Sequence, residues 1–235
     1  MQTRTDDEVV AQEGEAEKGL VIERRFTTAG ADPFDAFDWI EMSVEIRNPD
    51  GSLAHEIHGV QLPSGFAGVP GKVCAQKYLR KAGVPAALRK VAEDGVPGWL
   101  QRSEPDHEKL QTLAPEDRFV GETDGRELFR RLAGTWTYWG WTHGYFASEA
   151  DARAFYDEMA YLIASQRSAP NSPQWFNTGL NWAYGITGPA QGHHYVDAVT
   201  GELNLSEDAY THPQPHACFI QSVGDSLVGG TESIM

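Results

Sequence analysis

The strongest constraint on the fold of this chain is a run of alternating side chains that follows Trp39. Apolar and polar residues alternate there in the order Ile40, Glu41, Met42, Ser43, Val44, Glu45, Ile46 and Arg47. A period of two is typical of a β-strand with one face in water. The next four residues, Asn-Pro-Asp-Gly at 48–51, are a strong turn signal. We therefore predict a β-hairpin whose returning strand covers residues 53–57.

Helical patterns follow the hairpin. Residues 71–102 favour short helices, interrupted near Gly83 and closed near Pro97. Residues 103–123 are charged and contain two prolines, which predicts a linker. A further helix is indicated by four apolar side chains on one face, Leu128, Leu132, Trp136 and Trp139.

The next helix has clearer limits. Ser148 is placed to cap its first turn, and the helix should stop near Arg167, before Pro170. We expect its buried stripe to consist of Phe155, Met159, Leu162 and Ile163.

These patterns predict an α+β fold in three parts. Residues 1–19 are acidic with few apolar side chains and should form a disordered tail. Residues 20–110 should contain the hairpin and short helices, and residues 120–235 a helical region.

Charge and hydropathy exclude several kinds of partner. Lys and Arg total 19 against 34 Asp and Glu, a formal net charge of -15, which opposes binding to polymeric nucleic acid. A single nucleotide is not excluded, because backbone N–H groups can hold one phosphate locally. The sequence contains neither an apolar run of the ~20 residues that a membrane helix needs nor a signal peptide. We therefore expect a cytoplasmic protein without a membrane partner.

Cysteine and histidine positions do not predict a metal site. Cys74 and Cys218 are the only cysteines and form neither a disulfide framework nor a CxxC motif. Cys74 lies in a predicted helix and should be inert. The loop histidines lack HxxxH or HExxH spacing, so we expect them to hydrogen-bond the backbone; they are His193, His194, His212 and His216.

Two phrases in the last third of the chain are far more specific. Residues 169–179 read Ala-Pro-Asn-Ser-Pro-Gln-Trp-Phe-Asn-Thr-Gly, and residues 216–227 read His-Ala-Cys-Phe-Ile-Gln-Ser-Val-Gly-Asp-Ser-Leu. They resemble the start of the catalytic domain of ribonucleotide reductase large chains, the first its Ser-Pro-x-x-x-Asn-x-Gly loop and the second its first barrel strand. Residues 182–192 and the hairpin start at 38–40 resemble the vitamin-B12-dependent, class II branch. The resemblance runs from about Gly19 onward.

The resemblance implies a ten-stranded α/β barrel, of which this chain would hold only the first strand. It implies a ribonucleoside-diphosphate reductase that uses adenosylcobalamin, with most of the cofactor site outside this chain. A thiyl radical would remove the ribose 3′-hydrogen, and two other cysteines would supply electrons and be restored by a thioredoxin-like or dithiol reductant. We expect the chain to be a truncated amino-terminal portion that is inactive alone. A diphosphate or triphosphate substrate, the effector sites and the oligomeric state stay open.

The same resemblance assigns three site residues. Cys218 matches the redox-active thiol on the first barrel strand, and Ser172 matches a substrate-binding serine. The backbone at Ala217 and Cys218 matches a second substrate contact, although the alanine lacks the hydroxyl that many relatives have there.

Each assignment has a structural alternative. Cys218 is otherwise a buried, inert thiol, and Ser172 a turn or helix-capping residue. Asn177 and Gly179 fit simple turn positions. For the whole chain, the rival function is a stand-alone, non-catalytic nucleotide-binding or regulatory module.

Overall fold

The computed structural model describes residues 19–47 and 49–214. Within these residues the fold is α+β, as predicted: helices pack against four two-stranded antiparallel sheets. The predicted first barrel strand lies outside the described residues.

The predicted hairpin is confirmed. Strand β1 (Trp39–Arg47) pairs antiparallel with β2 (Leu53–Pro63), and the register shifts twice, between Met42 and Val44 and between Ile46 and Arg47. Strand β2 is longer than predicted because Val60 and Leu62 bury their side chains in the core beyond the shift at Met42. The shift at Met42 leaves Gly59 with a φ of 67°, a backbone conformation that favours glycine.

The helical prediction for residues 71–102 is only partly right. Helix α1 (Val69–Val73) continues into a π-helical turn (Cys74–Tyr78), after which the chain forms strands β3 (Val84–Pro85) and β4 (Leu88–Lys90). Both strands pair with residues from further along the chain. Long-range pairing therefore prevails over the local helix preference.

The predicted linker at residues 103–123 is also wrong, because this stretch supplies the partner strands. Strand β5 (Ser103–Pro105) pairs with β4, helix α2 (His107–Gln111) follows, and strand β6 (Phe119–Val120) pairs with β3. Proline is tolerated in these strands because they are short and at sheet edges.

The two long helices are confirmed. Helix α3 (Gly125–Thr142) begins at a capping box in which Asp124 and Glu127 accept reciprocal backbone hydrogen bonds. Helix α4 (Glu149–Ala164) is capped by Ser148, whose side chain accepts from the Asp151 amide at 3.2 Å.

The predicted apolar stripes are confirmed only in part. In α3, Leu128 and Leu132 are fully buried, and the two tryptophans are half-buried. In α4 only Ile163 of the predicted four is fully buried. Small and acidic side chains take the rest of the buried face: Ala152, Ala154, Asp157, Glu158, Ala160 and Ala164.

One apolar core joins the hairpin to the long helices. Its fully buried members include Leu62 from β2, Phe129 from α3 and Ile163 from α4. Trp175 extends the same core into helix α5 (Ser172–Asn177), which is followed by α6 (Leu180–Tyr184) and by the β7 (His194–Val196) and β8 (Leu203–Leu205) hairpin. Helix α5 therefore rests directly on the central core.

The segment before the hairpin is held by α4. The Glu158 carboxylate accepts hydrogen bonds from the amides of Arg25, Phe26 and Thr27 at 2.9–3.1 Å and from the Thr27 hydroxyl at 2.6 Å. Arg24 pairs with Asp157 at 2.7 Å. None of the helices within the described ranges has the length and apolarity that a membrane span requires.

Candidate functional site

Ser172 is the first residue of α5 and is exposed to solvent. The capping position before it belongs to Asn171, whose side chain accepts from the Gln174 amide at 3.4 Å. The capping alternative for Ser172 is therefore wrong. Its hydroxyl, which can both donate and accept a hydrogen bond, lies where a ligand can reach it.

The opposite end of α5 is held by a buried guanidinium. Arg131 of α3 donates from Nη1 to the Thr178 carbonyl at 2.7 Å and from Nη2 to the Trp175 carbonyl at 2.9 Å. Carbonyls in the last turn of a helix lack intrahelical hydrogen-bond donors, and here Arg131 supplies those donors. Nη2 also reaches the Tyr78 carbonyl, at 3.2 Å, in the π-helical turn.

The charge of Arg131 is balanced by Glu122, and both side chains are almost completely buried. Glu122 Oε1 accepts from Arg131 Nε at 2.7 Å and from the Tyr184 hydroxyl at 2.7 Å. Glu122 Oε2 accepts from the Arg80 amide, also at 2.7 Å. A buried ion pair with this many hydrogen bonds has its desolvation cost largely offset, whereas either charge alone would not.

Tyr184, at the end of α6, completes this cluster. Burial and the neighbouring Glu122 charge raise the pKa of its phenol well above the ordinary value. The phenol therefore stays protonated and remains a hydrogen-bond donor to Glu122 at physiological pH.

Gly179 follows α5 where the chain comes close to the backbone of α3. Its φ is +86°, and a Cβ placed there would lie 2.5 Å from the Arg131 carbonyl oxygen and 2.8 Å from Thr135 Oγ1. Glycine is thus required both by conformation and by space. The turn interpretation of Gly179 is correct, but it omits this contact with the helix. Asn177, for which a turn was also predicted, is the last residue of α5.

Aromatic residues make further stacking and hydrogen-bond contacts that hold α5. The Trp175 ring stacks on Tyr78 with centroids 5.0 Å apart, and Trp175 Nε1 donates to the Pro170 carbonyl at 3.0 Å. Trp136 Nε1 donates to Gln174 Oε1 at 3.0 Å. The loop that carries Ser172 is therefore anchored on α3 and on the π-helical turn.

A groove of about 1130 Å³ opens beside Gly179 and α6, between α3 and the β7–β8 hairpin, and Ser172 is not among the residues that line it. Gly179 and Trp182 line it on one side and Tyr195 and His212 on the other, the latter two rings stacked 3.7 Å apart. Burial lowers the pKa of His212, against the opposing influence of Asp197 and Asp208. This histidine is neutral at physiological pH.

The other residues considered in the sequence analysis are the histidines, Cys74 and the residues of the second phrase. His194 Nδ1 lies 2.9 Å from the Gly192 carbonyl, as predicted, although His194 begins strand β7 and is not in a loop. The prediction is wrong for His193, whose buried Nδ1 has no hydrogen-bond partner in the described part of the chain. Cys74 is buried, and burial together with the Glu122 charge raises its pKa to about 12, so its thiol is protonated and unreactive as predicted. Ala217, Cys218 and His216 lie outside the described residues.

Within residues 19–47 and 49–214, no three histidine, cysteine, aspartate or glutamate side chains come together as a metal site. The residues that hold α5 were missed from the sequence: Arg131, Glu122 and Tyr184. Arg131 did carry a signal, since it lies on the same face of α3 as the buried Leu128 and Leu132. A charged residue in a buried stripe indicates a specific partner.

Comparisons with known proteins agree on one family. The family model described as "Class II vitamin B12-dependent ribonucleotide reductase" matches residues 40–166. Proteins named "Vitamin B12-dependent ribonucleotide reductase" from Bradyrhizobium diazoefficiens and Agrobacterium fabrum are 57% and 56% identical to this chain over 207 residues, 88% of its length. A protein of the same name from Streptomyces clavuligerus is 30% identical over 90% of the chain. The chain spans 16% of the length of each of these relatives.

Proposed function

Because this chain belongs to the family of class II vitamin B12-dependent ribonucleotide reductases, we propose that it is the amino-terminal portion of an enzyme that converts ribonucleotides to 2′-deoxyribonucleotides. The observation that carries this proposal is the 57% identity over 88% of the chain with a relative of that name. The chain supplies one substrate-binding loop and one redox thiol, and the other residues of the catalytic barrel come from sequence that corresponds to the rest of the relatives.

In this proposal Ser172 binds the ribonucleotide. Three features support this: the match of residues 169–179 to the family loop, the exposure of Ser172 and the firm attachment of α5 at its far end. A hydroxyl on a well-anchored helix contributes a hydrogen bond without a large ordering cost. The backbone at Ala217 and Cys218 provides a second contact to the same ligand.

Cys218 acts as one of two thiols that reduce the sugar. The pair is oxidised to a disulfide while the ribose C2′–OH bond breaks and a C2′–H bond forms, and the oxygen leaves as water. A dithiol protein of the thioredoxin kind then reduces the disulfide by thiol exchange. The role requires a thiol within disulfide distance of its partner in the completed barrel.

Adenosylcobalamin, when bound, supplies the radical that starts the reaction by homolysis of its cobalt–carbon bond. As the family resemblance implies, we place most of its site outside this chain. The substrate class we propose is the ribonucleoside diphosphate. The net charge of -15 argues against polymeric nucleic acid as a partner.

The test compares the isolated chain with a chimera in which it replaces the matching segment of the Bradyrhizobium relative. With adenosylcobalamin, a dithiol and a ribonucleoside diphosphate or triphosphate, the chimera should form deoxyribonucleotide and the isolated chain should form none. An isolated chain that binds nucleotide, together with a folded but inactive chimera, would instead support a stand-alone binding or regulatory module.

A further inference from the structure

Resting on the proposed function, we propose that Arg131 is a positioning residue that sets the place of Ser172, and thereby the affinity for the ribonucleotide, with Glu122 and Tyr184 holding Arg131 in place. None of the three touches Ser172, so their effect must pass through α5.

Helix α5 cannot hold its own position. It has only six residues, and an isolated helix of that length is unstable in water. Its place must therefore come from contacts with the rest of the protein. Among these, the two hydrogen bonds from Arg131 to the Trp175 and Thr178 carbonyls fix the end opposite Ser172.

Arginine suits this task better than lysine. Its guanidinium offers five N–H donors in one plane, and here they reach α5, the π-helical turn at Tyr78 and Glu122 at once. A lysine ammonium at the same site would keep the charge but lose the planar fork. One side chain thus sets the distance between α3, α5 and the π-helical turn.

Glu122 and Tyr184 fix the orientation of that fork. Glu122 receives both Nε and Nη2 of Arg131, and the Tyr184 hydroxyl donates to the same carboxylate. Apolar residues of similar volume often stabilise a buried core as well as an ion pair does. What the polar cluster adds is a defined geometry for the loop that carries Ser172.

The primary test uses the active chimera described above and a double-mutant cycle. Arg131→Lys should raise KM for the ribonucleotide roughly tenfold while leaving kcat within about twofold, as expected for loss of a charge-assisted hydrogen bond that holds the binding loop. Ser172→Ala should raise KM as well. Adding Arg131→Lys to Ser172→Ala should then change KM little further, because the two residues act through one contact.

Arg130→Lys is the matched control. Arg130 is the next residue on α3 but pairs with Asp32 at the surface, at 2.6 Å, so its replacement should not change KM. Tyr184→Phe is the gentler second variant if Arg131→Lys does not fold, and it should raise KM by a smaller factor than Arg131→Lys, again only when Ser172 is present. An equal rise in KM with and without Ser172, or no rise in a folded variant, overturns the proposal.

A second measurement on the 235-residue chain keeps the inference separate from the proposed function. Hydrogen exchange of the Thr178 amide, which donates to the Gln174 carbonyl at 3.0 Å, should be faster in Tyr184→Phe than in Arg130→Lys, while the amides of α4 should be unchanged. Unchanged exchange in α5 contradicts the positioning role even if the chimera is inactive. An inactive chimera with faster α5 exchange contradicts only the proposed function.

Discussion

Replacing Gly179 by alanine tests the contact between α3 and the turn after α5. An L-residue at a φ of +86° costs roughly 1–2 kcal/mol. The added Cβ would also lie 2.5 Å from the Arg131 carbonyl oxygen and 2.9 Å from its carbon, so the backbone must move apart. Such overpacking costs a further ~1–3 kcal/mol.

The expected loss of unfolding free energy is therefore roughly 2–5 kcal/mol, which lowers Tm by roughly 5–15 °C in a chain of this size. The assay uses circular dichroism to measure the thermal unfolding of Gly179→Ala and of a control variant. Gly144→Ala is the matched control: Gly144 has a φ of +69° and nothing within 4 Å of its Cβ position. It should lose only the conformational part, about 1–2 kcal/mol. Equal losses in the two variants would refute the close approach of α3 to this turn.

Three further predictions concern stability. Burial disfavours the charged form of Glu158, but hydrogen bonds from Thr27, Phe26 and Arg25 outweigh the effect of burial and lower the pKa of the carboxyl group below its ordinary value of 4.5. The stability that the charged carboxylate contributes is therefore present above that ordinary value and is lost as the pH falls through the lowered pKa. Glu158→Gln should therefore flatten the acid limb of a stability–pH curve, and an unchanged limb would contradict this. Ser148→Ala should cost about 1 kcal/mol in denaturant unfolding through loss of the α4 cap, and no change would contradict that role. Cys74→Ser should lower stability by ~1 kcal/mol without changing turnover of the chimera, and lost turnover with normal folding would show that Cys74 is not inert.

Local patterns predicted the elements that depend on local rules. The β1–β2 hairpin follows from alternation and a turn signal, and helices α3 and α4 follow from apolar spacing and caps. Strands β3 to β6 could not be predicted, because each pairs with a strand distant in sequence and has only two or three residues. Their stability comes from tertiary contacts that a local pattern does not contain.

The residues of the candidate site could likewise be predicted only where they belong to a local sequence pattern. The phrase at 169–179 indicated Ser172 because its residue order is specific. Arg131, Glu122 and Tyr184 were not found because their roles depend on contacts between α3, the π-helical turn and helices α5 and α6, which are distant in sequence. A buried position for Arg131 was foreseeable from its place on the apolar face of α3, but its partners were not.

The most direct test of the central claim is deoxyribonucleotide formation by the chimera with and without Cys218→Ser. Serine is nearly the same size as cysteine but cannot form a disulfide with a partner thiol. We predict multiple turnovers with Cys218 in place and none in Cys218→Ser, with nucleotide binding retained in both proteins. Near-normal multiple turnover by Cys218→Ser would contradict the redox role of Cys218.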